Sequence, residues 1–281
     1  MANYVVAVSG GVDSVCLLHM LSTTPHNVVV AHVDHGIRGE ASGADARFVA
    51  GLAELYHLPF VTTSLQLGPD ASEEKAREAR YAFLFTVATQ HNATVATAHH
   101  QNDVVETIAI NLTRGTGWRG LAVLDRLQIY RPLLQLTKQQ LLSYATAHRL
   151  EWVEDATNES NSYLRNRIRK RTSRLVAESV ADTIMVLRAK QLQLKKDIAQ
   201  EVARIQKQYE GSRHLYTQID GHVAIELLCS EIEIAGGVRP TRPQASRSVH
   251  AIKTAAPGSV FQMGNGVELH FTTRKFTVHI V

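Results

Sequence analysis

The sequence contains little cysteine and no long apolar run, and both features exclude certain classes of protein. Its two cysteines, Cys16 and Cys229, lie far apart with no CxxC pair, which supports neither a disulfide framework nor a cysteine-rich metal site. No apolar run is long enough to span a bilayer, and no basic leader or signal-type segment precedes the first apolar residues. We therefore expect a cytoplasmic protein that does not bind a membrane.

Length and charge set broader limits. A chain of 281 residues with 44% apolar residues predicts a globular protein of two domains with a sizeable core. A net charge of +4 is compatible with a polyanionic partner, although many soluble enzymes are equally basic. The distribution of the basic residues is therefore more informative than their total.

The first half of the chain alternates β-branched apolar runs with segments of helical period. This pattern predicts an α/β fold with a doubly wound parallel sheet, in which ligands lie beyond the carboxyl ends of the strands. The predicted strands are residues 5–8, 28–33, 60–64 and 94–98, and the predicted helices are residues 13–22, 43–56, 72–91 and 102–113. The segments that follow the strands should therefore carry the chemistry.

Residues 9–14 read Ser-Gly-Gly-Val-Asp-Ser between the first predicted strand and helix. Such a turn presents free N–H groups and a positive helix end to a phosphate chain, so it predicts a phosphate site. A carboxylate beside phosphates is repelled unless it holds Mg²⁺ or a helix N-terminus. No Gly-Lys-Ser/Thr follows, so this is not a Walker loop; a glycine-rich turn without a ligand is the alternative. The predicted phosphate-binding residues are Ser9, Gly10, Gly11, Val12, Asp13 and Ser14.

The segment after the second strand brings a carboxylate, an imidazole and a guanidinium together. Asp34, His35 and Arg38 stand where an adenosine or an amino-acid ligand would lie in such a sheet. A metal site of His32, Asp34 and His35 is the rival interpretation. It is weakened because adjacent residues of a strand point to opposite faces.

Helical spacing groups two further sets of side chains. Arg77 and Arg80 are three residues apart and so share one helix face, which a solvated charged face would explain equally well. His99, Asp103 and Glu106 recur at intervals of four and three, which predicts an acid–base cluster. Capping residues and a buried histidine are the alternative for the second set.

A glycine pattern further on is misleading. Residues 115–120, Gly-Thr-Gly-Trp-Arg-Gly, satisfy the GxGxxG dinucleotide motif but follow a predicted helix instead of a strand. We interpret Gly115 as a helix stop. Arg114 and Arg119 are then candidate phosphate or RNA contacts.

Taken in order, these segments resemble the tRNA(Ile)-lysidine synthase family of the PP-loop ATP pyrophosphatases. The segments that carry the resemblance are residues 9–14, 32–38, 76–81, 97–107, 114–121, 131–134, 154–158 and 163–169. Two positions depart from the family pattern, Asn102 where Asp is common and Val104 where Gln is common. Asp103 must then supply alone the carboxylate function that acidic residues at positions 102 and 103 would share.

The resemblance implies an adenine nucleotide α hydrolase-like fold and an AMP-forming ligase. The C2 oxygen of the wobble cytidine, position 34, attacks the α-phosphate of ATP, and free L-lysine then displaces AMP to give lysidine. The implied cofactors are ATP and Mg²⁺, the implied partner is tRNA(Ile) with a CAU anticodon, and a homodimer is allowed. The resemblance assigns catalysis to Asp34, His99, Asp103 and Glu106, and Mg²⁺ to Asp13 and Asp103. It assigns substrate binding to Arg38, Arg77, Arg80, Arg114, Arg119, Asn158, Arg165, Asn166 and Arg169.

The second half of the chain suggests the remaining organisation. We expect a catalytic domain over residues 1–185, a helical linker over 186–210 and a small, shortened tRNA-binding domain over 211–281. The last segment reads as short strands punctuated by Gly and Pro, with a hairpin at Gly264-Asn-Gly266. The basic residues of 165–174 either line RNA phosphates or form a solvated helix face.

Two other functions stay open from the sequence. A related PP-loop enzyme could 2-thiolate tRNA, but the branch that uses an iron–sulfur cluster needs clustered cysteines, which this chain lacks. A non-catalytic tRNA-binding protein on a decayed enzyme fold is the second. The intact motif of residues 9–14 argues against decay.

Overall fold

The computed structural model describes residues 1–34, 40–65, 72–154, 167–168, 172 and 178–281. They form two compact units, Met1–Leu192 and Gln193–Val281, each with its own hydrophobic core. The boundary between the units lies within residues 186–210, the predicted linker. Across these described ranges, no helix combines the length and the apolar character needed to cross a membrane.

The first unit is built on a five-stranded parallel sheet with the order β3-β2-β1-β4-β5, which confirms the predicted fold class. The elements are β1 Asn3–Ala7, α1 Val12–Ser22, β2 Asn27–Asp34, α2 Glu40–Leu55, β3 Phe60–Ser64, α3 Glu73–Gln90, β4 Thr94–Ala96, α4 Gln101–Thr113, β5 Ile129–Tyr130 and α5 Lys138–Ala147. The sequence does not predict β5, because two residues are too few to show a pattern.

Side chains of the central strands alternate between the two faces of the sheet. Val6 and Val30 are buried in a cluster with residues of α1, α2 and α5, whereas Val5 and Val29 pack with residues of α3. Each fully buried aliphatic side chain contributes about 1.5–3 kcal/mol. Helices thus cover both faces, and the carboxyl ends of the parallel strands meet at one edge of the sheet.

The second unit contains helices where the sequence predicts strands, so that prediction is wrong for residues 213–254. The elements from the inter-unit helix onward are α6 Glu178–Tyr209, α7 Arg213–Gln218, α8 Gly221–Ile234, α9 Arg242–Thr254, β6 Val260–Gly264, β7 Val267–Phe271 and β8 Phe276–Ile280. The glycine and proline residues mark helix starts: Gly221 is the first residue of α8, and Pro243 lies in the first turn of α9. Leu228 and Ile232 are both buried and lie four residues apart, a spacing that indicates a helix. The nearby glycine and proline residues obscured this indication in the sequence.

The predicted hairpin is confirmed. Strands β6 and β7 pair antiparallel, and β8 extends the sheet on the other side of β7. Asn265 and Gly266 have φ values of 55° and 70°, as a type I′ turn requires. An Asn-Gly pair is the sequence that adopts this turn most readily.

Candidate active site

The turn between β1 and α1 has the geometry of an anion site. Gly10 has a φ of 92°, a conformation that glycine adopts without strain, and Gly11 caps α1 without a side-chain hydrogen bond. The hydroxyl of Ser14 accepts the N–H of Ser9 at 3.2 Å and donates to the carbonyl oxygen of Gly11 at 2.8 Å. The turn is thus held closed by Ser14, and the helix start has no side-chain cap to compete with a ligand.

Asp13 lies in the first turn of α1, and its carboxylate contacts the ammonium of Lys138 and the imidazole of His100. The Nζ of Lys138 is 2.7 Å and 2.8 Å from its two oxygens, and the Nε2 of His100 is 3.6 Å away. Burial raises the pKa of Asp13, but the contacts with His100 and Lys138 lower it by more. The pKa of Asp13 therefore lies below its ordinary value. Asp13 is therefore ionised at neutral pH and compensated from α4 and α5.

His100 and Asp103 form the start of α4 together. The Nδ1 of His100 accepts the N–H of Asn102 at 3.2 Å, and Asp103 accepts the N–H of His100 at 2.9 Å. The Nε2 of His100 is 3.5 Å from the Asp103 carboxylate. Burial lowers the pKa of His100, but its contacts with Asp13 and Asp103 outweigh burial and raise it. Asp103 thus caps the helix, the alternative that the sequence left open. Through His100 it also faces residues 9–14, the predicted phosphate site, which we call the pyrophosphate turn.

His99 precedes α4, so it does not continue the helical row of Asp103 and Glu106. Its Nδ1 lies 2.8 Å from the hydroxyl of Thr97. Burial lowers the pKa of His99 to about 3; the charge of Asp103 opposes this change and that of Arg131 adds to it. The ring is therefore neutral at pH 7, and it is a weak base, better suited to hydrogen bonding than to proton transfer.

Arg77 and Arg80 share a face of α3, as their spacing predicts, and they gather around one aromatic ring. Their guanidinium carbons lie 5.0 Å and 5.3 Å from the ring centroid of Tyr81. Arg126 lies 6.0 Å from the same centroid. Three guanidinium groups held over one buried tyrosine by cation–π contacts concentrate positive charge, which suits an anionic ligand.

The other predicted site residues occupy separate places. Asp34 ends β2 and accepts the hydroxyl of Ser64 at 3.5 Å. Glu106 is buried within α4. Arg114 caps the exposed end of α4, and Arg119 lies 4.6 Å from the ring centroid of Trp118. The predicted residues outside the described part of the chain are Arg38, Asn158, Arg165, Asn166 and Arg169.

The rival metal site at β2 gains no support among the described residues. The Nδ1 of His32 binds the carbonyl oxygen of Val8 at 2.8 Å, which ties β2 to the end of β1. His35 lies outside the described ranges. The interpretation of Gly115 as a helix stop is confirmed: α4 ends at Thr113, and Gly115 has a φ of 67°.

Sequence reasoning missed Lys138, and it recognised Asn102 only as a departure from the family pattern. The side-chain oxygen of Asn102 accepts the backbone N–H of Lys138 at 3.0 Å, which ties the starts of α4 and α5 together. Thr137 and Gln140, on either side of Lys138, form a capping box. That box marks a helix start in the sequence, but only the packing of α5 beside α1 reveals its proximity to Asp13.

Asp13 and Asp103 are the two carboxylates that the sequence predicts as Mg²⁺ ligands. Both lie within 3.6 Å of one nitrogen of His100, and Mg²⁺ bound to phosphates uses only one or two protein carboxylates. Within the described ranges, no group of three or more His, Cys, Asp or Glu side chains could hold a metal by itself. The assignment of Mg²⁺ to Asp13 and Asp103 stays a prediction.

Two curated relatives of this chain have the same name. The tRNA(Ile)-lysidine synthase of Solibacter usitatus is 41% identical over 173 residues, which are 60% of this chain and 39% of that protein. The tRNA(Ile)-lysidine synthase of Geobacter sulfurreducens is 42% identical over 179 residues, 59% of this chain and 38% of that protein. The chain thus spans about two fifths of the length of these curated relatives.

A solved structure shares the fold. The U34-tRNA thiolase NcsA from Methanococcus maripaludis, solved with its 4Fe-4S cluster, matches with a TM-score of 0.57 at 19% identity, over 68% of this chain and 72% of that one. The family described as the PP-loop domain matches residues 1–176, the part that contains the pyrophosphate turn and the contacts of Asp13. Since this match covers more than half of the sequence, the chain belongs to the PP-loop domain family.

Proposed function

We propose that this chain ligates free L-lysine to C2 of the wobble cytidine, position 34, of the AUA-reading tRNA(Ile). ATP drives the reaction through an adenylylated tRNA, and lysidine, AMP and pyrophosphate are the products. The observation that carries the proposal is the identity of 41% and 42% with two tRNA(Ile)-lysidine synthases. We place this reaction in the cytoplasm.

In the first step the C2 oxygen of the cytidine attacks the α-phosphate of ATP, and pyrophosphate leaves. The N–H groups at the start of α1 and the hydroxyls of Ser9 and Ser14 receive the pyrophosphate. Asp13 and Asp103 would hold Mg²⁺, which supplies charge neutralisation at the phosphates. Arg77 and Arg80 place positive charge where a phosphate or a substrate carboxylate binds.

In the second step the ε-amine of lysine attacks C2, and AMP leaves with the oxygen that was activated. Asp34 and Asp103 attract the lysine ammonium, and a carboxylate near the site takes the amine proton. Glu106 supports this chemistry from within α4. The neutral ring of His99 contributes a hydrogen bond, because its pKa of about 3 leaves it a weak base.

Binding of tRNA(Ile) with its CAU anticodon involves surfaces outside the catalytic turn. We assign phosphate contacts to Arg114 and Arg119 and to the basic stretch of residues 165–171, most of which lies outside the described residues. The domain over residues 211–281 holds the tRNA body. A homodimer stays a prediction.

A 2-thiolase is the second candidate because the fold matches that of a tRNA thiolase. That solved protein holds a 4Fe-4S cluster, and such a cluster is bound by several clustered thiolates. The two cysteines here are both buried, Cys16 in the first unit and Cys229 in the second. The cysteine content therefore favours lysine ligation over cluster-dependent thiolation.

Analysis of the nucleotide products tests the reaction class. With α-labelled ATP, tRNA(Ile) and lysine, we expect AMP, whose release depends on both tRNA and lysine. Omission of lysine should leave the label on the tRNA as the adenylylated intermediate. Release of ADP, or formation of AMP without tRNA, would contradict the proposal.

A further inference from the structure

Lys138 is a cation beside the pyrophosphate turn that no motif of the sequence includes. Its Nζ lies 2.7 Å and 2.8 Å from the carboxylate oxygens of Asp13, although 125 residues separate the two. Lys138 is the first residue of α5, and its backbone N–H is bound by Asn102. The backbone is therefore fixed, while the ammonium lies at the end of a flexible side chain.

The turn itself provides no cationic side chain for a ligand with several negative charges. Residues 9–14 contain one charged group, the carboxylate of Asp13, which repels phosphate. The contacts of Asp13 include the imidazole of His100 and the ammonium of Lys138. His100 is buried and also engaged by Asp103, whereas the side chain of Lys138 is 40% exposed. Lys138 is thus the cation that can turn toward a ligand.

We propose that Lys138 binds the β- and γ-phosphates of ATP and the pyrophosphate that leaves. The ion pair with Asp13 is the position of its ammonium when no nucleotide is bound. Water screens a partly exposed ion pair, so phosphate oxygens can replace Asp13 as the partner of Lys138. The role of Lys138 in catalysis rests on the proposed function, but its binding of pyrophosphate does not.

A purely structural role for Lys138 makes a different prediction. If Lys138 only neutralises Asp13, its loss weakens pyrophosphate binding because the carboxylate is left uncompensated. That effect must disappear once Asp13 is itself neutral. Direct contact with phosphate predicts instead that the loss persists on an Asp13→Asn background.

Calorimetric titration with inorganic pyrophosphate in EDTA separates the two roles. The proteins are the full-length wild type, Lys138→Met, Asp13→Asn, the Asp13→Asn, Lys138→Met double variant, and Lys190→Met, which removes an exposed cation elsewhere in the first unit. We expect Asp13→Asn to bind pyrophosphate more tightly than wild type. Lys138→Met should weaken binding about tenfold on both backgrounds, the size of one charge-assisted hydrogen bond. Lys190→Met should bind like wild type.

Two outcomes overturn the assignment. One is an effect of Lys138→Met that vanishes on the Asp13→Asn background; the other is an affinity that Lys138→Met leaves unchanged. Lys138→Gln serves if Lys138→Met does not fold, as judged by thermal unfolding, and AMP, which lacks the β- and γ-phosphates, should bind all variants similarly. If the protein does not modify tRNA but binds pyrophosphate in a Lys138-dependent way, the proposed function is wrong and the inference about Lys138 stands.

Discussion

Ser14 is the residue that holds the pyrophosphate turn in shape. We expect Ser14→Ala to weaken Mg·ATP binding about fivefold to tenfold, because the N–H of Ser9 and the carbonyl oxygen of Gly11 lose the hydroxyl that holds the turn in shape. Ser22→Ala is the matched control, since its hydroxyl donates to the carbonyl oxygen of His19 at the other end of α1. If calorimetric titration gives the two variants equal affinities for Mg·ATP, Ser14 does not contribute to nucleotide binding.

Glu231 makes the stability of the second unit depend on pH. Burial raises its pKa to about 7, although the hydroxyl of Tyr216, which donates to it at 3.3 Å, acts in the opposite direction. The folded state therefore keeps this proton to a higher pH than the unfolded chain does. The stability from Glu231 is complete below its ordinary value of 4.5 and is lost as the pH rises through about 7.

The substitution Glu231→Gln should remove this pH dependence, because an amide does not titrate. We compare the free energy of unfolding of the variant with that of wild type at each pH. Between pH 5 and pH 8 this difference should shift by about 1–3 kcal/mol in favour of the variant. Amide hydrogen exchange of α8 at both pH values measures the change within the second unit. Parallel pH profiles for the two proteins would show that Glu231 is not the group responsible.

At the residue scale, the sequence predicts local motifs but not contacts between distant segments. Residues 9–14 are recognisable because strand, turn and helix follow one another directly. The ion pair of Asp13 with Lys138 is not, since it depends on how α5 packs beside α1. The pKa of His99 is likewise a consequence of burial and of arginine residues brought in from other segments.

At the scale of elements, buried parallel strands were the most predictable feature. Strand β3 matches its prediction, and β1, β2 and β4 differ from theirs by one or two residues at their ends. A strand covered on both faces is readily predicted because it reads as a continuous β-branched run. The helices of residues 213–254 were missed because glycine and proline mark helix boundaries as well as turns. Their identity depends on the apolar spacing between those boundaries.

Gly211 allows the chain to leave α6 and pair with β8. Its φ is 59°, and a Cβ here would collide with the carbonyl oxygen of Phe276. We expect Gly211→Ala to destabilise the second unit by about 1–3 kcal/mol. Gly221→Ala is the control: with open space around its Cβ position, it should be neutral or stabilise by up to about 1 kcal/mol. Equal losses in thermal unfolding would show that the backbone at Gly211 is not restrictive.

At the scale of the whole molecule, we expect tRNA binding to involve basic residues from two parts of the chain. The first is the stretch of residues 165–171. The second is a cavity of about 580 Å³ in the second unit, which Arg242, His250 and Lys253 line together with His222. Arginine and lysine residues in both parts would neutralise phosphates of the tRNA backbone, and this neutralisation releases counterions.

Substitution of the basic residues in either part should lower tRNA affinity and flatten its salt dependence. For the Arg242→Gln, Lys253→Gln variant, and for glutamine in place of the basic residues of 165–171, we expect the slope to fall by about 0.7–0.9 for each lost contact. ATP affinity should not change. The Arg204→Gln, Lys207→Gln variant removes two positive charges from α6, as many as Arg242→Gln, Lys253→Gln removes, and is the control for that variant. A lowered melting temperature with an unaltered slope would assign the substituted residues to the scaffold.

Lysidine formation is tested most directly by labelled lysine and two tRNA transcripts. One is tRNA(Ile) with the CAU anticodon, and the other differs from it only by uridine in place of cytidine 34. With ATP and the full chain, we predict lysine incorporated into the CAU transcript, an equal amount of AMP released, and no label in the uridine transcript. ATP-dependent sulfur incorporation, or tRNA binding without lysine incorporation, would contradict the assignment of this chain as a lysine ligase.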